Sequence, residues 1–300
     1  MKRLGIAVWV VALLASQLLG SAPAPQRPVA AIRRVVIVSV DGLRPDLLLR
    51  AQPPHMRALM ETGSYTFWAR TVEEGYTVPS HVSMLTGVVP ARHGVTWNGH
   101  IEESYPNVPT LFELAKRAGY TTAVVAGKTK LVVLTKPGTL DWSYLADEER
   151  EDDSDVARQA VKIIGDHQPN VLFIHLGQLD IVGHAAGWGS AEYMRALKQA
   201  DDALGRIQQA IKARRLTDST VMMLTADHGG TGLQHPPEDV RSQFIPWIAA
   251  GPSIRHNFDL TDVPGLAVTT MSTFATACAL LGIPVEQPLD GEPVLQILQR

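Results

Sequence analysis

Five short apolar runs rich in β-branched residues constrain the fold of this chain more than any other feature. They span residues 34–40, 121–126, 170–175, 220–225 and 244–250. Because these runs are continuously apolar rather than alternating, they are typical of strands buried on both faces. Helical patterns lie between them, at 109–118, 155–166 and 191–213. This alternation predicts an α/β fold, a three-layer sandwich with a mainly parallel central sheet.

Acidic and imidazole side chains follow three of the predicted strands: Asp41 after the first, Asp180 and His184 after the third, and Asp227, His228 and His235 after the fourth. Ligands of parallel sheets bind beyond the carboxyl ends of the strands, so we expect these six side chains to converge on one edge. Three carboxylates and three imidazoles gathered there require a cation between them. Mixed aspartate and histidine ligands suit zinc best, with manganese or iron as alternatives.

A threonine lies just before a predicted helix in the segment "GYTVPSHVSMLTG". Pro79 suits the first position of a helix and disfavours helical geometry at Val78, which predicts a helix that starts near Pro79. Thr77 would then lie where unpaired amides and the helix dipole favour negative charge. This segment alone leaves two interpretations open. In the first, Thr77 or Ser80 is a hydroxyl that caps the helix. In the second, Thr77 is a nucleophile activated by metal. Two metal ions about 4 Å apart would suit an in-line phosphoryl transfer.

The N-terminal residues have the composition of a secretory signal, because Lys2 and Arg3 precede an apolar run that ends near Leu19. We interpret residues 1–22 as a signal peptide, cleaved between residues 20 and 31, and predict an exported protein, periplasmic or secreted. An uncleaved membrane anchor is the alternative. No linker divides residues 33–300, which are predicted to form a single catalytic domain.

Charge and cysteine content narrow the range of partners. A formal net charge of −3 with scattered basic residues gives no footprint for nucleic-acid polymers. The single cysteine, Cys278, has no partner for an internal disulfide, and its apolar surroundings predict core packing. Beyond the N-terminal signal we predict no stable membrane span, and the expected partner is a small-molecule phosphoester.

Five segments in order along the chain resemble the alkaline phosphatase superfamily, within it the type I phosphodiesterase and nucleotide pyrophosphatase family. They are "VVIVSVDGLRPDLL" from Val35, "YTVPSHVSMLTGVVPARHGV" at 76–95, "DIVGHAAGWGSAEY" at 180–193, "TADHGG" at 225–230 and "LDGEPVLQIL" at 289–298. The chain resembles a compact member of that family, because His235 follows Asp227 after only eight residues. His81 stands where sulfatases of the superfamily carry an arginine, which disfavours a sulfatase.

The resemblance implies a role for each candidate residue. One metal ion would be held by Asp41, Asp227, His228 and the Thr77 oxygen, and the second by Asp180, His184 and His235. Asn98 and the Thr77 backbone amide would bind a phosphoryl oxygen. Two further roles are open: Lys128 and Lys130 either face the substrate or lie in a solvated loop. Trp97, Trp188 and Tyr193 either stack on a nucleoside or aryl group of the substrate or pack in the core.

The function implied is a dinuclear, metal-dependent phosphodiesterase that works through a threonine phospho-enzyme intermediate. Phosphomonoesters or phosphonates are alternative substrates for the same site. Transfer of the phosphoryl group to an alcohol would use the same residues. An exported binding protein without catalysis is the alternative from another class.

Overall fold

The computed structural model describes residues 27–146 and 152–299. Its strands are β1 (Arg34–Val40), β2 (Gly63–Arg70), β3 (Thr122–Ala126), β4 (Trp142–Leu145), β5 (Val171–Leu176), β6 (Thr220–Thr225), β7 (Phe244–Ala250) and β8 (Phe258–Asp259). Its helices are α1 (Pro45–Ala51), α2 (Pro54–Glu61), α3 (Thr77–Thr86), α4 (Pro90–His93), α5 (Leu111–Arg117), α6 (Asp153–Asp166), α7 (Gln178–Ala186), α8 (Ala191–Ala213), α9 (Val240–Gln243) and α10 (Ser272–Leu281).

The eight strands form one sheet in the order β4-β3-β5-β1-β6-β7-β2-β8. Strands β4, β3, β5, β1 and β6 pair in parallel, whereas β7 pairs antiparallel with both of its neighbours. The helices pack in two groups, one containing α1, α2, α6, α7 and α8 and the other α3, α4, α5 and α10. The predicted α/β sandwich with a mainly parallel sheet is therefore confirmed.

All five apolar runs are strands, and their central members are buried on both faces. In β1, for example, every residue after Arg34 is buried. The pattern did not predict β2, β4 and β8. Strands β4 and β8 lie at the two edges of the sheet and are only partly buried. In β2 the register is irregular between Thr66 and Ala69, so neither strand pattern, alternating or continuous, is clear there.

The helical predictions are close at 109–118, 155–166 and 191–213, and the last agrees with α8 at both ends. Cys278 is buried in α10, as its surroundings predicted. The predicted signal peptide at residues 1–22 lies outside the described residues. Within the described ranges, none of the helices combines the length and the hydropathy that crossing a bilayer would need.

Candidate active site

The strand order places four charged side chains along the carboxyl edge of the sheet. Reading across β3, β5, β1 and β6, the residues that follow each strand supply Lys128, Asp180, Asp41 and Asp227. All four are buried. The convergence expected at this edge is therefore observed, and a lysine takes part in it.

The candidate metal ligands fall into two groups. In the first, one ligand atom each of Asp180, His184 and His235 lies within 4.8 Å of the others, and the same holds for Asp41, Asp180 and His228 in the second. Helix α7 brings Asp180 and His184 together because residues four apart lie on the same face of a helix. Asp227 joins the second group, with Oδ2 3.3 Å from His228 Nε2.

The unpaired side-chain atoms of these two groups are suitable ligands for divalent cations. Among the described residues, five buried side-chain atoms of this cluster have no hydrogen-bond partner: Asp41 Oδ1, Asp180 Oδ1, Asp227 Oδ2, His228 Nε2 and His235 Nδ1. Buried polar atoms are normally paired, so a cluster of orphaned acceptors indicates a missing positive partner. Carboxylate oxygens and imidazole nitrogens are donor atoms that such a cation would accept.

The electrostatics of the edge also indicate an excess of negative charge. Burial and the neighbouring Asp41 charge raise the pKa of Asp227 to about 7. Burial alone would raise the pKa of Asp41, but Lys128 and His175 hold it well below its usual range. Burial lowers the pKa of His228, yet the two carboxylates beside it raise it overall. A cation at this place would relieve the repulsion between Asp41 and Asp227.

Lys128 is central to the site rather than part of a solvated loop. It directly follows the turn after β3, is 5% exposed, and places Nζ 2.7 Å from Asp41 Oδ2 and 2.7 Å from Asp180 Oδ2. Burial lowers the pKa of its ammonium group, but the two carboxylates outweigh burial and raise it. Lys130 is half-buried, and both lysines line the same cleft.

Thr77 opens helix α3 and lines that cleft, which has a volume of about 600 Å³. The helix begins two residues earlier than predicted, so Pro79 occupies its third position. This is tolerated because the first four amides of a helix need no intrahelical partner. The helix start has no side-chain cap, and Ser80 instead donates its hydroxyl to the Asp227 carbonyl at 2.8 Å. Neither hydroxyl therefore acts as a cap.

Asn98 is fixed beside Thr77 by its carbonyl oxygen. Asn98 Oδ1 accepts from the Val78 amide at 3.0 Å and from Lys130 Nζ at 3.3 Å. Because both contacts are donors, the oxygen must face them, and the side-chain NH₂ is left for the cleft that Asn98 lines. Trp97, in contrast, is partly buried and packs against the core, whereas its neighbour Asn98 lines the cleft.

Two buried histidines lie behind the cluster, and the sequence analysis did not predict this supporting position for either of them. His175 Nε2 donates to Asp41 Oδ2 at 2.9 Å, and its ring lies 4.9 Å from that of His81. His81 donates from Nδ1 to the Thr77 carbonyl at 2.7 Å and accepts from Ser39 at Nε2. Burial lowers the pKa of both rings and thereby favours their neutral forms. The available signal was a histidine inside an otherwise apolar strand, "VLFIHL".

Trp188 supports the first group of ligands from behind. Its ring lies 5.2 Å from that of His184 and 6.2 Å from that of His235, nearly perpendicular to the first. The indole N–H and the Tyr193 hydroxyl both donate to the Gly42 carbonyl. Both aromatic residues are buried, in keeping with the packing role that the sequence indicated.

Comparison with known proteins relates this arrangement to characterised families. A profile of the type I phosphodiesterase / nucleotide pyrophosphatase family matches residues 35–244. The bis(5'-adenosyl)-triphosphatase of Mus musculus is 26% identical over 214 residues, which make up 65% of this chain and 47% of that protein. The catalytic subunit of GPI ethanolamine phosphate transferase 2 of Homo sapiens is 25% identical over 287 residues, 89% of this chain and 28% of that protein.

Solved structures share the fold. An inactive variant of murine ectonucleotide pyrophosphatase / phosphodiesterase 5, in complex with AMP, superposes with a TM-score of 0.74 at 15% identity, covering 89% of this chain and 100% of that chain. A 2-O GAG sulfatase gives a TM-score of 0.70 at 17% identity, over 89% of this chain and 74% of the other. The chain spans less than half the length of the curated relatives described above.

Proposed function

Because the chain belongs to the type I phosphodiesterase / nucleotide pyrophosphatase family, we propose that it is a metal-dependent hydrolase of phosphodiester bonds with Thr77 as its nucleophile. One observation carries the proposal. Thr77 begins a helix, opens onto the cleft, and lies at the same sheet edge as the orphaned carboxylate and imidazole atoms. A phosphoryl group bound in the cleft would therefore lie next to the Thr77 hydroxyl as nucleophile and next to the positive charge of the bound metal.

The two groups of ligand atoms suit two divalent cations. We assign Asp41, Asp227, His228 and the Thr77 oxygen to one cation, and Asp180, His184 and His235 to the other. The mixed oxygen and nitrogen donors favour Zn²⁺, with Mn²⁺ or iron as alternatives. When bound, the cations would supply positive charge that favours ionisation of the Thr77 hydroxyl and stabilises the charge on the transferring phosphoryl group.

The protein groups then bind and orient the substrate. Of the four amides in the first turn of α3, Pro79 has no hydrogen, Val78 donates to Asn98 and Ser80 donates to the Tyr76 carbonyl. We therefore assign the Thr77 amide, together with the Asn98 NH₂ group, to one phosphoryl oxygen. An uncharged amide fits the single negative charge of a diester.

The reaction proceeds in two displacements. The Thr77 hydroxyl gives its proton to solvent water and its oxygen forms a bond to phosphorus, while the bond from phosphorus to the leaving oxygen breaks on the opposite side. The leaving oxygen takes up a proton from solvent water, and the group departs as an alcohol, a phenol or a shorter nucleotide. Water then attacks the threonine phosphate ester, which restores the Thr77 hydroxyl and releases the second product. His81, through the Thr77 carbonyl, holds the nucleophile in place during both steps.

The substrate class is supported by the relatives. The murine relative is a bis(5'-adenosyl)-triphosphatase, and a solved neighbour is in complex with AMP, so nucleotide diesters and pyrophosphates are the first substrates to test. Lys128 and Lys130 in the cleft favour a second candidate, hydrolysis of phosphomonoesters or phosphonates, because a dianion needs an additional positive partner. Rates on bis(p-nitrophenyl) phosphate and p-nitrophenyl phosphate distinguish the two candidates.

Removal of the nucleophile tests the mechanism. We expect Thr77→Ala to lower kcat for an aryl phosphodiester by on the order of 10³-fold or more, while metal analysis still finds close to two ions per chain. Thr77→Ser, which keeps a hydroxyl, is the matched control and should retain measurable turnover. Wild-type rates in Thr77→Ala would contradict the assignment of the nucleophile.

We also propose that the chain is exported. The proposal is supported by the signal-like residues 1–22, which lie outside the described residues. Expression of the full chain followed by cell fractionation and N-terminal sequencing tests it. Protein retained inside the cell with its N-terminus intact would contradict it.

A further inference from the structure

We infer that Lys128 is an internal counter-ion of the metal centre: its ammonium group stabilises the site when no metal is bound and weakens the binding of metal. The inference rests on the dinuclear centre of the proposed function and adds a residue that sets the metal affinity of that centre. Its starting point is the position of Nζ, 2.7 Å from Asp41 and 2.7 Å from Asp180. These two carboxylates belong to different cations in our assignment.

The lysine and the cations would use different atoms. Nζ contacts Oδ2 of both aspartates, whereas Oδ1 of each is buried without a hydrogen-bond partner among the described residues. Each free Oδ1 faces a histidine instead, Asp41 Oδ1 at 3.5 Å from His228 Nε2 and Asp180 Oδ1 at 3.4 Å from His184 Nε2. The ammonium group therefore does not occupy the ligand positions, and lysine and metal can be present together.

The surroundings are shaped for this side chain. A Cβ atom on Gly177 would lie 3.3 Å from Lys128 Cγ and 3.5 Å from Cε, so the glycine leaves room for the lysine stem. Lys128 is 5% exposed, which makes a chance surface contact with the two aspartates implausible. A buried ammonium group is retained only when it is paired and hydrogen-bonded, and here two carboxylates satisfy it.

The charges decide the sign of the effect. Asp41, Asp180 and Asp227 carry three negative charges when ionised, and the Lys128 ammonium group contacts two of them, Asp41 and Asp180. Without metal, the lysine offsets part of the repulsion within the buried cluster. With two divalent cations present the carboxylates are already compensated, and the ammonium group adds a positive charge that repels the metals. Lys128 should therefore favour the metal-free protein relative to the metal-bound protein.

Removal of the lysine should change charge more than geometry. Asp41 keeps its hydrogen bond from His175, and Asp180 stays on helix α7. A residue that merely oriented the two carboxylates would weaken metal binding when lost. A residue that competes electrostatically would strengthen it. The direction of the change in affinity thus separates the two roles.

The experiment compares Lys128→Met with the wild-type chain after chelation of metal, by thermal unfolding and by zinc titration against a competing chelator. We expect the metal-free variant to unfold roughly 10 °C lower, to bind Zn²⁺ about tenfold more tightly or better, and to regain most of the lost Tm when zinc is added. Lys128→Arg keeps the charge in a larger side chain, so its zinc affinity should lie closer to that of the wild type than to that of Lys128→Met. Lys130→Met is the matched control: among the described residues Lys130 contacts Asn98 and forms no ion pair with a carboxylate, so this variant should change both quantities much less than Lys128→Met does.

Weaker zinc binding in Lys128→Met, or an unchanged Tm without metal, would overturn the inference. So would a Lys128→Met chain that fails to fold even with zinc present, because the metals should replace the missing charge. Failure of the proposed metal centre gives a different result. In that case the wild-type chain itself would bind no zinc, manganese or iron, and the inference would fall with it.

Discussion

Replacement of Asn98 by aspartate tests the phosphoryl-binding role of that side chain with little change in shape. Asn98 Oδ1 accepts from the Val78 amide at 3.0 Å and from Lys130 Nζ at 3.3 Å. An aspartate can accept both hydrogen bonds, and the second becomes an ion pair. The start of helix α3 should therefore stay in place. What changes is the group that faces the cleft, because a carboxylate oxygen replaces an NH₂ donor.

The expected loss of activity has two parts. Loss of one preorganised donor to a phosphoryl oxygen costs roughly 10² to 10³ in kcat. The new negative charge also repels the anionic substrate, by about 4 kcal/mol for unit charges 4 Å apart at an effective dielectric constant of 20. Lys130 lies 3.3 Å from the same side chain and neutralises most of that charge. We therefore expect the remaining repulsion to lower kcat by about one further factor of ten. The total is on the order of 10³-fold to 10⁴-fold.

The assay is steady-state hydrolysis of bis(p-nitrophenyl) phosphate, with metal content and Tm measured on the same preparations. Asn98→Ala provides the comparison, because it removes the donor without adding charge and should lose about 10² to 10³. A phosphomonoester dianion should suffer more from aspartate than the diester does. Activity of Asn98→Asp within threefold of the wild type would refute the reasoning, since neither the donor nor the charge would then matter.

Two further predictions concern stability and the support of the ligands. Burial lowers the pKa of His93 to about 4, below its unfolded value of about 6.5, so its contribution to stability is present above pH 6.5 and is lost as pH falls toward 4. Between pH 7 and pH 5 the loss of stability amounts to about 2 kcal/mol. Chemical denaturation of metal-free His93→Gln should therefore show a correspondingly weaker dependence of the unfolding free energy on pH. An equal pH dependence in the variant and the wild type would contradict the assignment. A Cβ on Gly230 would lie 2.3 Å from the Trp188 ring, so Gly230→Ala should lower the free energy of unfolding by about 1–3 kcal/mol and weaken zinc binding. The control is Gly99→Ala, which has no atom within 4 Å of its Cβ and should not lower the free energy of unfolding.

The parts of the molecule that could be predicted from the sequence are those with a local signal. A continuous apolar run predicts a strand that is buried on both faces, and the residues that follow such a strand lie at the edge of the sheet. This reasoning placed Asp41 and Asp227 correctly at that edge. The edge strands β4 and β8 carry no such run because one side of each lacks a neighbour. Their absence from the prediction follows from their exposure.

The depth of Lys128 could not be predicted in the same way. It depends on β3 lying beside β5, with β1 next in the sheet, and the order of strands is a property of the whole chain rather than of any segment. The same reason applies to His175, whose contact with Asp41 joins β5 to the end of β1. Both residues approach the aspartate only because segments distant in sequence pair with each other.

The pairing of β5 with β1 also brings Asp41 and Asp180 close together, the two aspartates that we assign to different cations of the proposed centre. Neighbouring strands are separated by roughly 4.8 Å in any sheet, and Asp180 and Asp41 follow two such neighbours. This interval is close to the separation of about 4 Å that two-metal phosphoryl-transfer centres use. The main-chain hydrogen bonds between β5 and β1 therefore help to set the spacing of the two aspartates. A change in that interval would require the two strands to part, or the turn between β5 and the start of α7, which carries Asp180, to change.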